Sequence, residues 1–119
     1  MALSLAERKR AYRVRHPERV RAANLLWRER HREEWAARRR QKALRGMAYI
    51  DSLKTGGCVD CGNKNLTVLD FDHVRGEKQR NLCSMYATTF AEIDAEAAKC
   101  EVRCANCHRI VTARRRKAA

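Results

Sequence analysis

The stretch that most constrains this chain lies between Cys58 and His108. It opens with Cys58-Val-Asp-Cys61 and closes with Cys104-Ala-Asn-Cys107-His108, with Leu69-Asp70-Phe71-Asp72-His73 between them. A two-residue spacer lets both thiolates of a tight turn face one ion, so two such pairs supply the four ligands of a tetrahedral zinc site with Zn–S distances of about 2.3 Å. Binding zinc at Cys58, Cys61, Cys104 and Cys107 would pin the intervening chain at both ends. Cys83 and Cys100 are left over and are expected to be small core residues.

Length makes such a staple valuable. A chain of 119 residues has room for one small domain and an extension, and a core this small often needs a metal or disulfides. The opening Met1-Ala-Leu-Ser-Leu-Ala runs straight into Glu7-Arg-Lys-Arg without the apolar centre of a signal peptide. A cytoplasmic location is therefore expected, where cysteines serve as thiolate ligands or free thiols rather than disulfides.

Charge divides the chain. Of the net +13, residues 1 to 50 contribute +10, from fifteen Lys or Arg against five Asp or Glu. Such a balance calls for a polyanionic partner, with nucleic acid first and an anionic membrane surface second. No apolar run approaches the 18 or so residues of a membrane span. The expected organisation is a basic helical arm over 1–47 and a zinc-bound domain over 48–119.

The arm carries a 15-residue repeat, Tyr12-Arg-Val-Arg-His16-Pro-Glu against Trp27-Arg-Glu-Arg-His31-Arg-Glu, continuing to Ala22 against Ala37. Fifteen residues are close to four helical turns, so the units present similar faces. Pro17 predicts a break at His16, with a short helix before it and a longer one to about Arg45, stopped by Gly46. Its apolar residues are too sparse for a wide stripe. Arg13, Arg15, Arg28, Arg30, Arg38, Arg39 and Arg40 are its candidate DNA contacts, with Tyr12, Trp27 and Trp35 packing on the domain or against sugar and base surfaces. A merely solvated helix is the plainer alternative.

Further on, Ala48–Lys54 continues as helix and residues 66–73 have strand composition. Thr89-Phe-Ala-Glu92 is a capping box for a helix over about 90–98, 101–103 is a short return strand, and the last helix runs from Cys107 to about Arg116. Arg114, Arg115 and Arg116 on that helix form a second candidate phosphate-facing patch. Strict strand alternation puts Asp70 and Asp72 on one face and His73 on the other, so Asp72-His73 must sit at a strand end or bend to serve one site.

Leu-Asp-Phe-Asp-His, Arg75-Gly76-Glu77-Lys78 and Cys-Glu-Val-Arg-Cys-Ala-Asn-Cys-His-Arg resemble the HNH endonucleases, especially small phage-encoded ones, over roughly residues 56 to 116. The resemblance implies an α+β, zinc-stabilised ββα-metal (treble-clef) core. It implies His73 as general base, and Asp72 with His108 as ligands of a catalytic Mg²⁺, Mn²⁺ or similar ion, with Asp70 second choice. It also implies double-stranded DNA as partner, cut to leave a 5′-phosphate and a 3′-hydroxyl. A homodimer or a phage packaging partner stays open, and the cytoplasm is that of the bacterial host if the chain is phage-encoded. The resemblance also implies a middle Asn that braces the loop holding the base; it has no counterpart at Lys99-Cys100, and Asn106 is the nearest substitute for that role and Asn81 a more distant one.

Two readings without nuclease chemistry stand beside this one. A zinc-binding DNA-binding protein would leave Asp72 and His73 as strand-end polar groups. Cys104-x-x-Cys107-His108 also matches a c-type haem attachment site, which would leave the upstream cysteine pair unexplained.

Overall fold

The computed structural model describes residues 1–119. In chain order the elements are α1 (Leu5–Arg15), α2 (Pro17–Arg30), α3 (Arg32–Ser52), β1 (Leu69–His73), α4 (Phe90–Ala97), β2 (Cys100–Cys104) and α5 (Ala105–Ala118), with short 3₁₀ turns at Leu66–Val68 and Leu82–Ser84. The chain divides into two compact units, Met1–Arg38 and Arg39–Ala119. Residues 39 to 47 therefore belong with the second unit. No helix is long and apolar enough to cross a membrane.

In the first unit, Ser4 caps α1 by accepting from the Glu7 N–H while the Glu7 carboxylate accepts from the Ser4 N–H, a reciprocal box that satisfies two otherwise unpaired donors. The break at His16 is present, with Pro17 in the first turn of α2. The expected uninterrupted helix from Pro17 to Arg45 is not. The helix is interrupted at His31 (φ −106°, ψ 16°), whose Nδ1–H donates at 2.8 Å to the Trp27 carbonyl that also accepts from the His31 backbone N–H. The 15-residue repeat thus has a structural counterpart. Tyr12 lies over His16 and Trp27 over His31, with ring centroids 4.8 and 4.2 Å apart, and each histidine marks a helix junction.

Gly46 does not stop its helix; α3 continues through it to Ser52. The glycine is buried because the Tyr86 backbone lies against it, and a Cβ would fall 1.8 Å from the Tyr86 carbonyl oxygen. Close approach, rather than helix termination, explains the residue. Just beyond it Ile50 joins Leu82, Met85 and Ile93 in the main core, flanked by Tyr49, Leu53, Phe71 and Ala97.

β1 and β2 are antiparallel, with Asp70 opposite Arg103, Asp72 opposite Glu101 and His73 opposite Cys100. Alternation sorts these residues by face. Asp70, Asp72, Glu101 and Arg103 share one face, while Leu69, Phe71, His73, Cys100, Val102 and Cys104 share the other. The apolar face meets the core, with Leu69 in a second cluster beside Cys58 and Cys104. α4 begins with the expected capping box, since the Thr89 hydroxyl accepts from the Glu92 N–H and the Glu92 carboxylate accepts from the Thr89 N–H.

Candidate functional site

Each cysteine pair is presented by a turn that its sequence favours. After Cys58 the chain reverses. The Cys58 N–H donates to the Asn63 carbonyl and the Gly62 N–H to the Cys58 carbonyl, both at 2.9 Å. Gly62 takes φ +75°, which a side chain would resist. The Val59 N–H donates to the Val102 carbonyl, tying this knuckle to β2. The second pair straddles the start of α5, where Cys104 is the cap and its sulfur accepts from the Cys107 N–H at 3.4 Å.

The four sulfurs lie within 4.8 Å of one another, and those of Cys61 and Cys104 are 3.7 Å apart. Four thiolates around one zinc would be separated by about 3.8 Å, as follows from tetrahedral geometry with Zn–S bonds near 2.3 Å. The cluster can hold a metal ion such as zinc. The thiols also differ in acidity. Burial raises the Cys58 thiol, but backbone hydrogen bonds from Cys104, Cys61 and Asp60 outweigh it and bring the group to about 6. Hydrogen bonding with Cys104, and then burial, pushes Cys107 up to about 12. Of the leftover cysteines, Cys100 is half-buried against the main core, whereas Cys83 is exposed, contrary to expectation.

On the charged face of the sheet, Asp72 is only 3% exposed and fully engaged. Its Oδ2 accepts from Arg103 Nη1 at 2.6 Å and from Arg115 Nη2 at 2.9 Å, and its Oδ1 accepts from Arg115 Nη1 at 3.0 Å. Burial raises the Asp72 carboxyl, but Arg115, Arg103 and His108 together hold it below the usual carboxylate range. His108 lies between two carboxylates, with Nδ1 3.6 Å from Asp70 and Nε2 3.4 Å from Asp72. Arg103 also donates to Asp60 and is paired with Glu101.

Arg115 is therefore turned to Asp72, not outward as a phosphate contact; it lies two turns beyond His108 on the same face of α5. Arg114 and Arg116 are exposed, as are Arg13, Arg15, Arg28, Arg30, Arg38, Arg39 and Arg40. Trp27 and Trp35 are each 47% exposed and meet edge to face.

His73 is the last residue of β1, paired with Cys100 of β2. Its ring lies on the other face, where Nε2 is 2.9 Å from Glu96 Oε1. Because β1 has a neighbour on one side only, residues of both faces reach its free edge. There a cleft of about 340 Å³ is lined by Asp70, Phe71, His73 and His108 together with Lys54, Lys78, Asn81 and Cys83. Asp70, His73 and His108 thus meet at one cavity, while Asp72 is buried behind it. Asn106 is exposed in the first turn of α5, and the bonds that hold the segment after His73 come from elsewhere. The Lys99 carbonyl accepts from the Val74 and Arg75 N–H groups, and Glu96 accepts from Gln79 and Arg80.

Sequence reasoning missed Glu96, Arg103 and the inward turn of Arg115. Each left a trace. Glu96 falls three residues after Ile93, on the apolar stripe of α4, where a carboxylate needs a partner. Arg103 lies between two residues of the central strand pattern, and Arg115 repeats the His108 position at heptad spacing.

The class defined so far is a mainly helical chain with a small two-stranded antiparallel sheet and a four-cysteine cluster able to hold a metal ion. Comparisons with family models, curated proteins and solved structures returned no match to this chain.

Proposed function

We propose that this protein is a metal-dependent DNA endonuclease of the HNH type, with Cys58, Cys61, Cys104 and Cys107 binding zinc as the scaffold of a ββα-metal (treble-clef) core. The observation that carries the reading is the meeting of Asp70, His73 and His108 at one open cleft. A chain needing only a zinc staple has no use for an imidazole, a carboxylate and a second imidazole at that place.

The donors suit a hard divalent cation such as Mg²⁺ or Mn²⁺, since carboxylates and an imidazole leave room for water and phosphate oxygen. His108 and Asp72 would hold it, with Asp70 the more exposed carboxylate beside them. Arg115, whose side chain is 46% exposed, would have to leave Asp72. Bound there, the ion would offset charge on the phosphate and the leaving oxygen.

The chain's own groups supply the rest. His73 takes a proton from a water molecule in the cleft as that water's oxygen bonds to phosphorus and the P–O3′ bond breaks. The departing 3′ oxygen takes up a proton from solvent water, leaving a 3′-hydroxyl and a 5′-phosphate. Lys54 and Lys78 at the cleft, and the exposed arginines of the arm and α5, attract the DNA backbone without reading sequence.

One observation favours a non-catalytic, zinc-binding DNA-binding protein instead: both oxygens of Asp72 are already paired with arginine. Incubation with supercoiled plasmid, with and without added Mg²⁺ or Mn²⁺, separates the two. We expect metal-dependent conversion to the nicked or linear form. If no cutting occurs under any condition that supports DNA binding, the enzyme reading fails and the binder remains.

A further inference from the structure

We infer that Glu96 is the positioning residue for His73, holding its imidazole in the Nε2–H tautomer so that Nδ1 is the nitrogen free to accept a proton. The inference rests on the nuclease reading of His73.

Glu96 is 4% exposed, in the last turn of α4, on the stripe that carries the fully buried Ile93. A carboxylate there is tolerated only if its lone pairs are filled. Oε1 accepts from His73 Nε2 at 2.9 Å, from the Gln79 N–H at 3.0 Å and from the Arg80 N–H at 3.4 Å. Oε2 accepts from Lys99 Nζ at 2.8 Å, and the same ammonium donates to the Glu77 carbonyl at 2.7 Å. Lys99 first, with these other donors, holds the Glu96 carboxyl down to about 2, against the effect of burial.

An ionised carboxylate can only accept, so the ring nitrogen facing it must carry the hydrogen. A neutral imidazole has one such hydrogen, which leaves Nδ1 as the basic nitrogen. No group of the chain hydrogen-bonds to Nδ1, and the ring lines the cleft. A base aimed by a third group that binds its far nitrogen is the arrangement that makes an imidazole an efficient proton acceptor.

The lacing of residues 77–80 does not by itself require the histidine, because Lys99 and two backbone N–H groups already satisfy that loop. Glu96 also holds the segment after His73, the job for which the sequence suggested Asn106, and Asn106 is exposed on another helix.

The test uses full-length, zinc-loaded protein. Long-range ¹H–¹⁵N correlation spectra report which nitrogen of His73 is protonated, and kcat and KM are read from plasmid nicking. We expect the Nε2–H tautomer in the wild type. In Glu96→Gln, whose amide can donate as well as accept, the single tautomer should be lost. Its kcat should fall about 10- to 100-fold, the size of effect seen when orienting partners are removed, with KM and zinc content unchanged.

A wild type in the Nδ1–H form overturns the inference, as does a Glu96→Gln protein with kcat within about twofold of wild type. If Glu96→Gln does not fold, the wild-type tautomer decides. A wild type that shows the Nε2–H form but cuts nothing defeats the nuclease reading and leaves the contact as structural only. Active wild type with an indifferent Glu96→Gln defeats the positioning role alone.

Discussion

Adjacent residues of a strand face opposite sides of its sheet, and Asp72 and His73 at the end of β1 show how differently they can then be partnered. Asp72 turns to the charged face and is clasped by Arg103 and Arg115, while His73 turns to the core face and meets Glu96. Their proposed roles make different demands on a substitution. His73→Ala should lower the nicking rate by about 10²- to 10⁴-fold, the usual cost of losing a general base, with DNA affinity and zinc content unchanged. The fold should tolerate it, because Glu96 keeps Gln79, Arg80 and Lys99 as donors. His108→Ala should instead weaken the divalent ion and recover in part as Mg²⁺ or Mn²⁺ is raised. Metal titrations of both variants check this, and equal losses that no concentration restores would show the roles to be misassigned.

At the scale of elements, α3 is where a substitution rule inverts. Glycine within a helix normally costs about 0.5–1 kcal/mol relative to alanine. At Gly46 the added methyl would lie 1.8 Å from the Tyr86 carbonyl oxygen, and its nearest neighbours are all backbone atoms of Tyr86. Overpacking of this kind costs about 1–3 kcal/mol or more and exceeds the helical gain. Gly46→Ala should therefore lower the urea midpoint of the zinc-loaded protein, whereas Gly56→Ala, with nothing within 4 Å of the new atom, should leave it nearly unchanged. A stabilised Gly46→Ala would mean that α3 does not pack on Tyr86 as described.

For the molecule as a whole, the core is small enough that a metal held by the four cysteines would decide whether the folded state persists. One core cluster has four buried members and the other three, two of which are cysteines of the metal-binding set. Structural zinc is worth roughly 10 kcal/mol or more in small domains, comparable with the entire stability of most. Stripping the metal with a strong chelator should thus abolish the tertiary structure of residues 39–119, and added zinc should restore it. Near-ultraviolet circular dichroism follows both steps; a native spectrum after complete metal loss, or a preparation that carries iron or haem instead, would refute the assignment.

What is local in this protein could be read along the chain. Two cysteine pairs, a proline after His16, a Thr89/Glu92 capping box and strict alternation from Leu69 to His73 act over a few residues, so each showed where it stood. The 15-residue repeat likewise announced similar faces, which the paired aromatic and histidine rings fill, though not the break at His31, because a side-chain bond to the Trp27 carbonyl carries no mark in the sequence pattern. Contacts across long separations were a different matter. Gly46 reads as a helix end until Tyr86, forty residues on, is seen to lie against it. Arg115 reads as one more outward charge until α5 is laid on β1, and Asn106 reads as the brace until Glu96 is found doing that work. In each case the residue type specified only what it could bond or admit. Which partner it met was decided by the packing of helices on the two faces of a short sheet, where burial makes an unpaired charge too costly to leave.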